Sequence, residues 1–175
     1  MGRNLVGGNK LKLQIPIQPN IGLDEDIRHS VVEILNVLQA DEAVLMMNTS
    51  NVHWQVRGPG FIKMERLFDQ QFHQLITISN DIEERIGVLG GRAINGYDEF
   101  LKRTRLEELT DEALEIMSLL ADHETFIRFL REDARKCFEE YEDQGTCTLL
   151  VNIMQIHEKI AWMLRTFIEP EFTGR

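Results

Sequence analysis

The sequence predicts an all-α fold, a bundle of four long helices with one long crossover between the second and third that carries a short extra helix. Three observations predict it. Apolar residues recur at intervals of three and four through four long stretches, the spacing of one helix face. Glycine and proline clusters separate those stretches and are otherwise sparse, with 12 Gly and 4 Pro in 175 residues. No stretch alternates with the two-residue period of a strand, and no internal repeat or low-complexity tract occurs.

Residues 1–22 are expected to form a flexible, mildly basic arm, with Gly7-Gly8, Pro16 and Pro19 but little periodicity. The bundle is expected over residues 23–169 and a tail over 170–175. The first helix starts at Asp24, carries Ile27, Val31, Ile34, Leu35 and Leu38 on one face, and runs to about Trp54, before Gly58-Pro59-Gly60. The second spans roughly residues 61–89, with Phe61, Met64, Phe68, Leu75, Ile82, Ile86 and Leu89 as its apolar stripe and Gly90-Gly91 at its C-terminus. The crossover follows, with a short helix over residues 98–103. Thr110-Asp111-Glu112 has the form of an N-cap with first-turn acids. The third helix then runs to about Tyr141, with Ile127, Leu130, Ala134, Cys137, Phe138 and Tyr141 on one face. The fourth covers about residues 146–168, with Leu149, Ile153, Ile156, Ile160, Met163, Leu164 and Phe167 as its stripe, until Pro170 stops it. Short first and last junctions make those neighbours antiparallel.

The bulk properties narrow the function. A net charge of −10 opposes nucleic acid and anionic membranes and attracts cations. Cys137 and Cys147 form no metal or redox motif, and thiols without a disulfide framework fit a cytoplasmic protein. No apolar leader and no run of 18 apolar residues occurs, so neither a signal peptide nor a membrane span is expected.

The most informative feature is a polar stripe on the second helix. Glu65, Asp69, His73, Asn80 and Glu84 follow one another at spacings of 4, 4, 7 and 4 residues. At ~100° per residue they share an arc of roughly 100° beside the apolar stripe. They should therefore flank the core, at the bundle edge or a subunit contact. His53 ends the preceding helix, one tight loop away. Carboxylates with imidazoles and no thiolate suit iron, although charged residues four apart are also common on any solvated helix face.

Asn51-Val52-His53-Trp54-Gln55-Val56-Arg57-Gly58-Pro59-Gly60-Phe61 resembles the signature of the Dps family within the ferritin-like superfamily. Leu67-Phe68-Asp69, Glu84-Arg85-Ile86-Gly87-Val88-Leu89-Gly90-Gly91 and Tyr97-Asp98-Glu99-Phe100-Leu101 continue it, so the likeness covers about residues 25–169. It implies a hollow shell of twelve copies that oxidises iron(II) with hydrogen peroxide or dioxygen, stores ferric mineral and protects against oxidative stress. It implies di-iron ferroxidase sites between two-fold-related subunits, with His53 and Asp69 from one chain and Glu84 from its mate. It places Trp54 beside the site as a radical trap, although Trp54 reads equally as a core aromatic. No Glu-x-x-His motif occurs, so the intra-bundle di-iron arrangement built on that motif is not expected.

Glu65 and Asn80 depart from the usual family pattern, in which many members have a second histidine and an aspartate at these positions. His73, and His157 within the apolar stripe of the fourth helix, are candidates to compensate as metal ligands, His157 reading equally as a hydrogen-bonded core histidine, and added nitrogen ligands would let zinc compete with iron. His29 and His123 read as surface or structural. Glu139, Glu140, Glu142 and Asp143 form an acidic cluster suited to drawing iron through a pore, or to a solvated helix end. DNA binding accompanies the family, but Arg3, Lys10 and Lys12 of the arm stand against the net charge, so it is not expected to be strong. The alternative to a ferroxidase is a non-catalytic shell that sequesters iron or zinc, or binds DNA weakly.

Overall fold

The computed structural model describes residues 18–55, 57, 61–109 and 116–168. Five helices follow in order: α1 (Glu25–Gln55), α2 (Phe61–Val88), α3 (Tyr97–Arg103), α4 (Ile116–Glu139) and α5 (Gln144–Ile168). The four long helices form the expected bundle, and α3 is the short helix in the crossover. The Gly58-Pro59-Gly60 break, the Thr110 cap, residues 1–17 of the arm and the tail lie outside the described residues.

The apolar stripes meet as periodicity demands. Leu35, Leu38 and Leu45 of α1, Phe68, Leu75, Ile82 and Ile86 of α2, Phe126 and Leu130 of α4, and Leu150, Ile160 and Leu164 of α5 are fully buried. Two stripe residues are not in the core. Phe138 is 52% and Phe167 44% exposed, because the helical period carries each beyond the arc that faces neighbouring helices. The end of α2 is a Schellman turn: the Gly91 N–H donates to the Ile86 carbonyl at 2.9 Å and the Gly90 N–H to that of Gly87 at 2.9 Å. Gly90 has φ +80°, and a Cβ on Gly91 would lie 2.5 Å from the Val32 side chain. Both glycines are thus required where the chain leaves the helix.

Helix α1 is buried on more than its apolar face. Arg28, Asn36, Gln39, Asp41, Glu42, Asn48 and Thr49 are buried with it. Three of these hold the crossover. Asn36 accepts from the Ile94 N–H at 3.1 Å. Asp41 accepts from the Arg105 N–H at 2.6 Å, from Arg105 Nη2 at 2.7 Å and from the Thr104 hydroxyl at 3.0 Å. Asn48 accepts from the Leu109 N–H at 3.1 Å and donates to the Glu107 carbonyl at 3.1 Å. The crossover lacks a ladder of its own, so these side chains satisfy its backbone. Arg28 does the same for the entering segment, donating to the carbonyls of Pro19 and Leu23 at 3.1 and 3.0 Å. The last residues of the arm therefore lie against the bundle.

The α4–α5 junction corrects one expectation. Asp143 is 3% exposed and does not join an open acidic cluster. It caps α5, accepting from the Thr146 N–H at 2.9 Å, and pairs with Arg85 Nη2 of α2 at 2.8 Å. Glu139, Glu140 and Glu142 remain exposed. Burial raises the Asp143 pKa, but its bonds to Thr146 and Arg85 outweigh that and hold the carboxyl below its ordinary 3.8. A depressed carboxyl pKa stabilises the fold above the unfolded value, and the contribution is lost as pH falls through the folded one. Asp143→Ala is therefore expected to cost about 3 kcal/mol at pH 7. The deficit should shrink in urea melts repeated below pH 4; a constant difference between wild type and variant across that range would show that the charge is not responsible.

Candidate metal centre

The end of α1 and the start of α2 position the centre. The His53 ring stacks on Trp54, with centroids 5.1 Å apart, and on Phe68 of α2 at 5.9 Å. Phe68 is fully buried and directly precedes Asp69, so this stack places the last turn of α1 beside the Asp69 turn of α2. Trp54 is 70% exposed, which removes the core-aromatic reading.

All five stripe residues on α2, Glu65, Asp69, His73, Asn80 and Glu84, are exposed, while the adjoining face holds Phe68, Leu75, Ile82 and Ile86 in the core. The Nδ1 of His73 lies 2.8 Å from the Asp69 carbonyl. A carbonyl only accepts, so Nδ1 donates this bond and Nε2 takes no part in it. Glu84 is 15 residues beyond Asp69. At ~1.5 Å per residue that separates the two by roughly 22 Å along one helix. The stack thus sets the end of α1 against the start of α2, while Glu84 stands far along that helix from Asp69. Among the described residues no group of three or more His, Cys, Asp or Glu side chains is placed to hold a metal ion.

The structure places His157 in the core, the second of its two readings. The α5 periodicity turns it inward, where it is fully buried against Phe126, with ring centroids 4.8 Å apart. It does not reach the exposed stripe. His123, read as surface or structural, is buried beside it, with Nδ1 to Nδ1 at 3.0 Å. Sequence reading missed Glu42, which lies 3.2 Å from His157 Nε2. The signal was present: Glu42 follows Leu38 by four residues and precedes Leu45 by three, a core position. Burial first, and the neighbouring Asp41 charge second, push the Glu42 carboxyl well above its ordinary range. Burial alone lowers His157 to about 3, while burial and then His157 hold His123 well below the usual imidazole range.

The family model for the ferritin-like domain matches residues 32–170. The DNA protection during starvation protein 2 of Bacillus anthracis is 32% identical over 142 residues, covering 79% of this chain and 96% of that protein. The chain belongs to the Dps family of ferritin-like proteins. An uncharacterized low temperature-induced protein of Nostoc sp. is similar at 37% identity, with 87% of each chain covered. The Dps protein from Vibrio cholerae, described as a member of a broad superfamily of ferritin-like diiron-carboxylate proteins, matches with a TM-score of 0.79 and 26% identity, over 87% of this chain and 97% of that one. In this Dps-family chain, no helix among the described residues is long and apolar enough to cross a membrane.

Proposed function

We propose that this protein oxidises iron(II) at sites shared between two-fold-related copies and stores the ferric product inside a hollow twelve-subunit shell, limiting oxidative damage. One observation supports the reading: the exposed Asp69 and Glu84 of the α2 stripe lie too far apart to serve one ion within a chain, so a second copy would complete the site. His53, Asp69 and His73, with Glu65 one turn away, would come from one copy and Glu84 from its mate. An antiparallel α2 pair would bring each Glu84 to the other copy's Asp69. A groove of about 710 Å³ lined by Met46, Met47, Phe72, Tyr97, Phe100 and Leu101 opens among α1, α2 and α3, and Tyr97 is 75% exposed. Apolar surface of this kind suits burial against another subunit.

Iron(II) is the substrate. Two ions held together each give one electron to peroxide, whose O–O bond is cleaved without releasing hydroxyl radical; the protons released on hydrolysis of iron(III) leave to solvent. The carboxylates balance the rising charge on iron, and the Nε2 of His73 supplies a neutral donor. Asn80 is neutral, and Glu65 contributes the charge lacking there. DNA protection would arise from removing iron and peroxide rather than from holding a duplex, which the net charge of −10 opposes.

The test is ferric absorbance after adding iron(II) and then peroxide. Glu84→Ala should slow the initial rate at least about 100-fold, since even indirect partners of metal ligands matter 10- to 100-fold. A wild-type rate no faster than buffer would leave only a sequestering shell.

A further inference from the structure

Three titratable side chains meet inside the bundle, one from each of three helices, and the proposed iron site uses none of them. Glu42 of α1, His123 of α4 and His157 of α5 are all 0% exposed. Glu42 Oε2 lies 3.2 Å from His157 Nε2, and His157 Nδ1 lies 3.0 Å from His123 Nδ1. The groups thus run in series, carboxyl to imidazole to imidazole. Neither Glu42 oxygen has a hydrogen-bond partner among the described residues. An anion there would face a lone pair across 3.2 Å and have no donor on its other oxygen, which burial penalises heavily. One proton on Glu42 removes the charge and makes the missing bond.

We propose that Glu42 is a neutral carboxylic acid that donates to His157, and that its proton latches α1 to α4 and α5. That proton orders the whole series. With Glu42 donating to Nε2, neutral His157 carries its own hydrogen on Nδ1 and donates to His123 Nδ1, which leaves the His123 hydrogen on Nε2. The opposite assignment, a carboxylate beside an imidazolium, puts two charges in the core, and the free oxygen of Glu42 lacks the further bonds such a pair requires. The edge of Phe126 packs against the His157 ring at 83° and restrains it. The surrounding groups agree. Asp41, beside Glu42 on α1, pairs with Arg105 of the crossover and opposes a second negative charge. No buried residue of α2 is titratable among those described. The other buried titratable groups, Arg28, Cys137 and Asp143, stand 14 residues along the chain from Glu42, His123 and His157 in turn. At ~1.5 Å per residue that is roughly 21 Å, too far to supply the proton or the charge.

Burial first and Asp41 second raise the Glu42 carboxyl, so the folded chain keeps a proton that the unfolded chain releases above 4.5. The stability this gives is fully present below 4.5 and is lost as pH rises to the folded value, where the carboxyl ionises inside the bundle and the latch opens. Nothing in the latch depends on iron oxidation at the stripe.

Two measurements on full-length shells test it. Glu42→Gln keeps the shape and still donates an amide N–H to His157 Nε2, but exchanges no proton. In urea melts above pH 5, the folded-to-unfolded ratio of Glu42→Gln relative to wild type should rise about tenfold per pH unit until the folded carboxyl ionises. A gap between the two that is constant with pH overturns the latch. An ion pair would give the same slope, so infrared spectra separate it from the acid. Wild type grown with glutamate carrying carbon-13 in the side-chain carboxyl should show, at pH 8, a protonated-carboxyl band that moves with the label. That band belongs to Glu42, the one buried glutamate among the described residues. Its absence overturns the assignment, and the measurement needs no variant, so it decides even where Glu42→Gln fails to assemble.

Discussion

Shells assembled from equal amounts of His53→Ala and Glu84→Ala chains are expected to recover about a quarter of the wild-type rate of iron(II) oxidation, although each variant alone is at least about 100-fold slower. The fraction follows from two-fold geometry. Random pairing makes half of the dimers mixed. In a mixed dimer the Glu84→Ala copy still offers His53 and Asp69, and the His53→Ala copy still offers Glu84. Their ligands meet at one of the two sites, and the other site lacks both residues. The stripe suggests this outcome because Asp69 and Glu84, both exposed on α2, are separated by 15 residues of one helix. The chains must be unfolded together and reassembled, with mixing verified by mass, and the rate followed by ferric absorbance. If the mixed shells run at the mean of the two separate variants, each chain holds its own complete site and the shared-site reading fails.

Asp41→Ala is expected to lower the stability of the fold by about 3 kcal/mol, the low end of the range for breaking a buried ion pair. Asp41 is fully buried and accepts four bonds from Thr104 and Arg105, including the Arg105 backbone N–H. Burial raises its pKa even though Arg105 and Thr104 lower it, so the pair itself adds little net stability. The cost of the substitution comes from what it strands: a backbone N–H and a hydroxyl at the point where the crossover turns onto α1. Arg105 is 30% exposed and also pairs with Asp133 at 2.9 Å, so its charge recovers water and a partner, which keeps the loss near 3 kcal/mol. At about 2–4 °C per kcal/mol for a chain of this size, the midpoint of thermal unfolding should fall by about 6–12 °C. A fall under 3 °C would show that the crossover is held by other contacts, with Asn36 and Asn48 the next to test.

The helices were legible because each carries a long, periodic apolar stripe and most ends carry a local signal. Glycine and proline act on the chain within a turn of where they stand, which is why Gly90-Gly91 could be read as the end of α2 without any tertiary information. The exposed α2 face of Glu65, Asp69, His73, Asn80 and Glu84 was legible for the same reason, since spacing along one helix fixes which residues share a face. Asp143 was not, because it was read from local density while its role depends on another helix. Arg85 of α2 converts Asp143 from a member of an acidic cluster into a buried cap. Glu42 of α1 and His123 of α4 surround His157 with polar atoms that nothing nearby in the sequence announces.

The chain by itself thus determined the number, length and order of the helices, the faces they bury and the stripe they expose, because hydrophobic periodicity and backbone breaks are properties of neighbouring residues. Only the tertiary structure decided which polar residues lie inside. Burial is set by what three other helices cover. The chemistry of Glu42, His123 and His157 follows from desolvation and from partners 34 to 115 residues away in the chain, which no local pattern encodes.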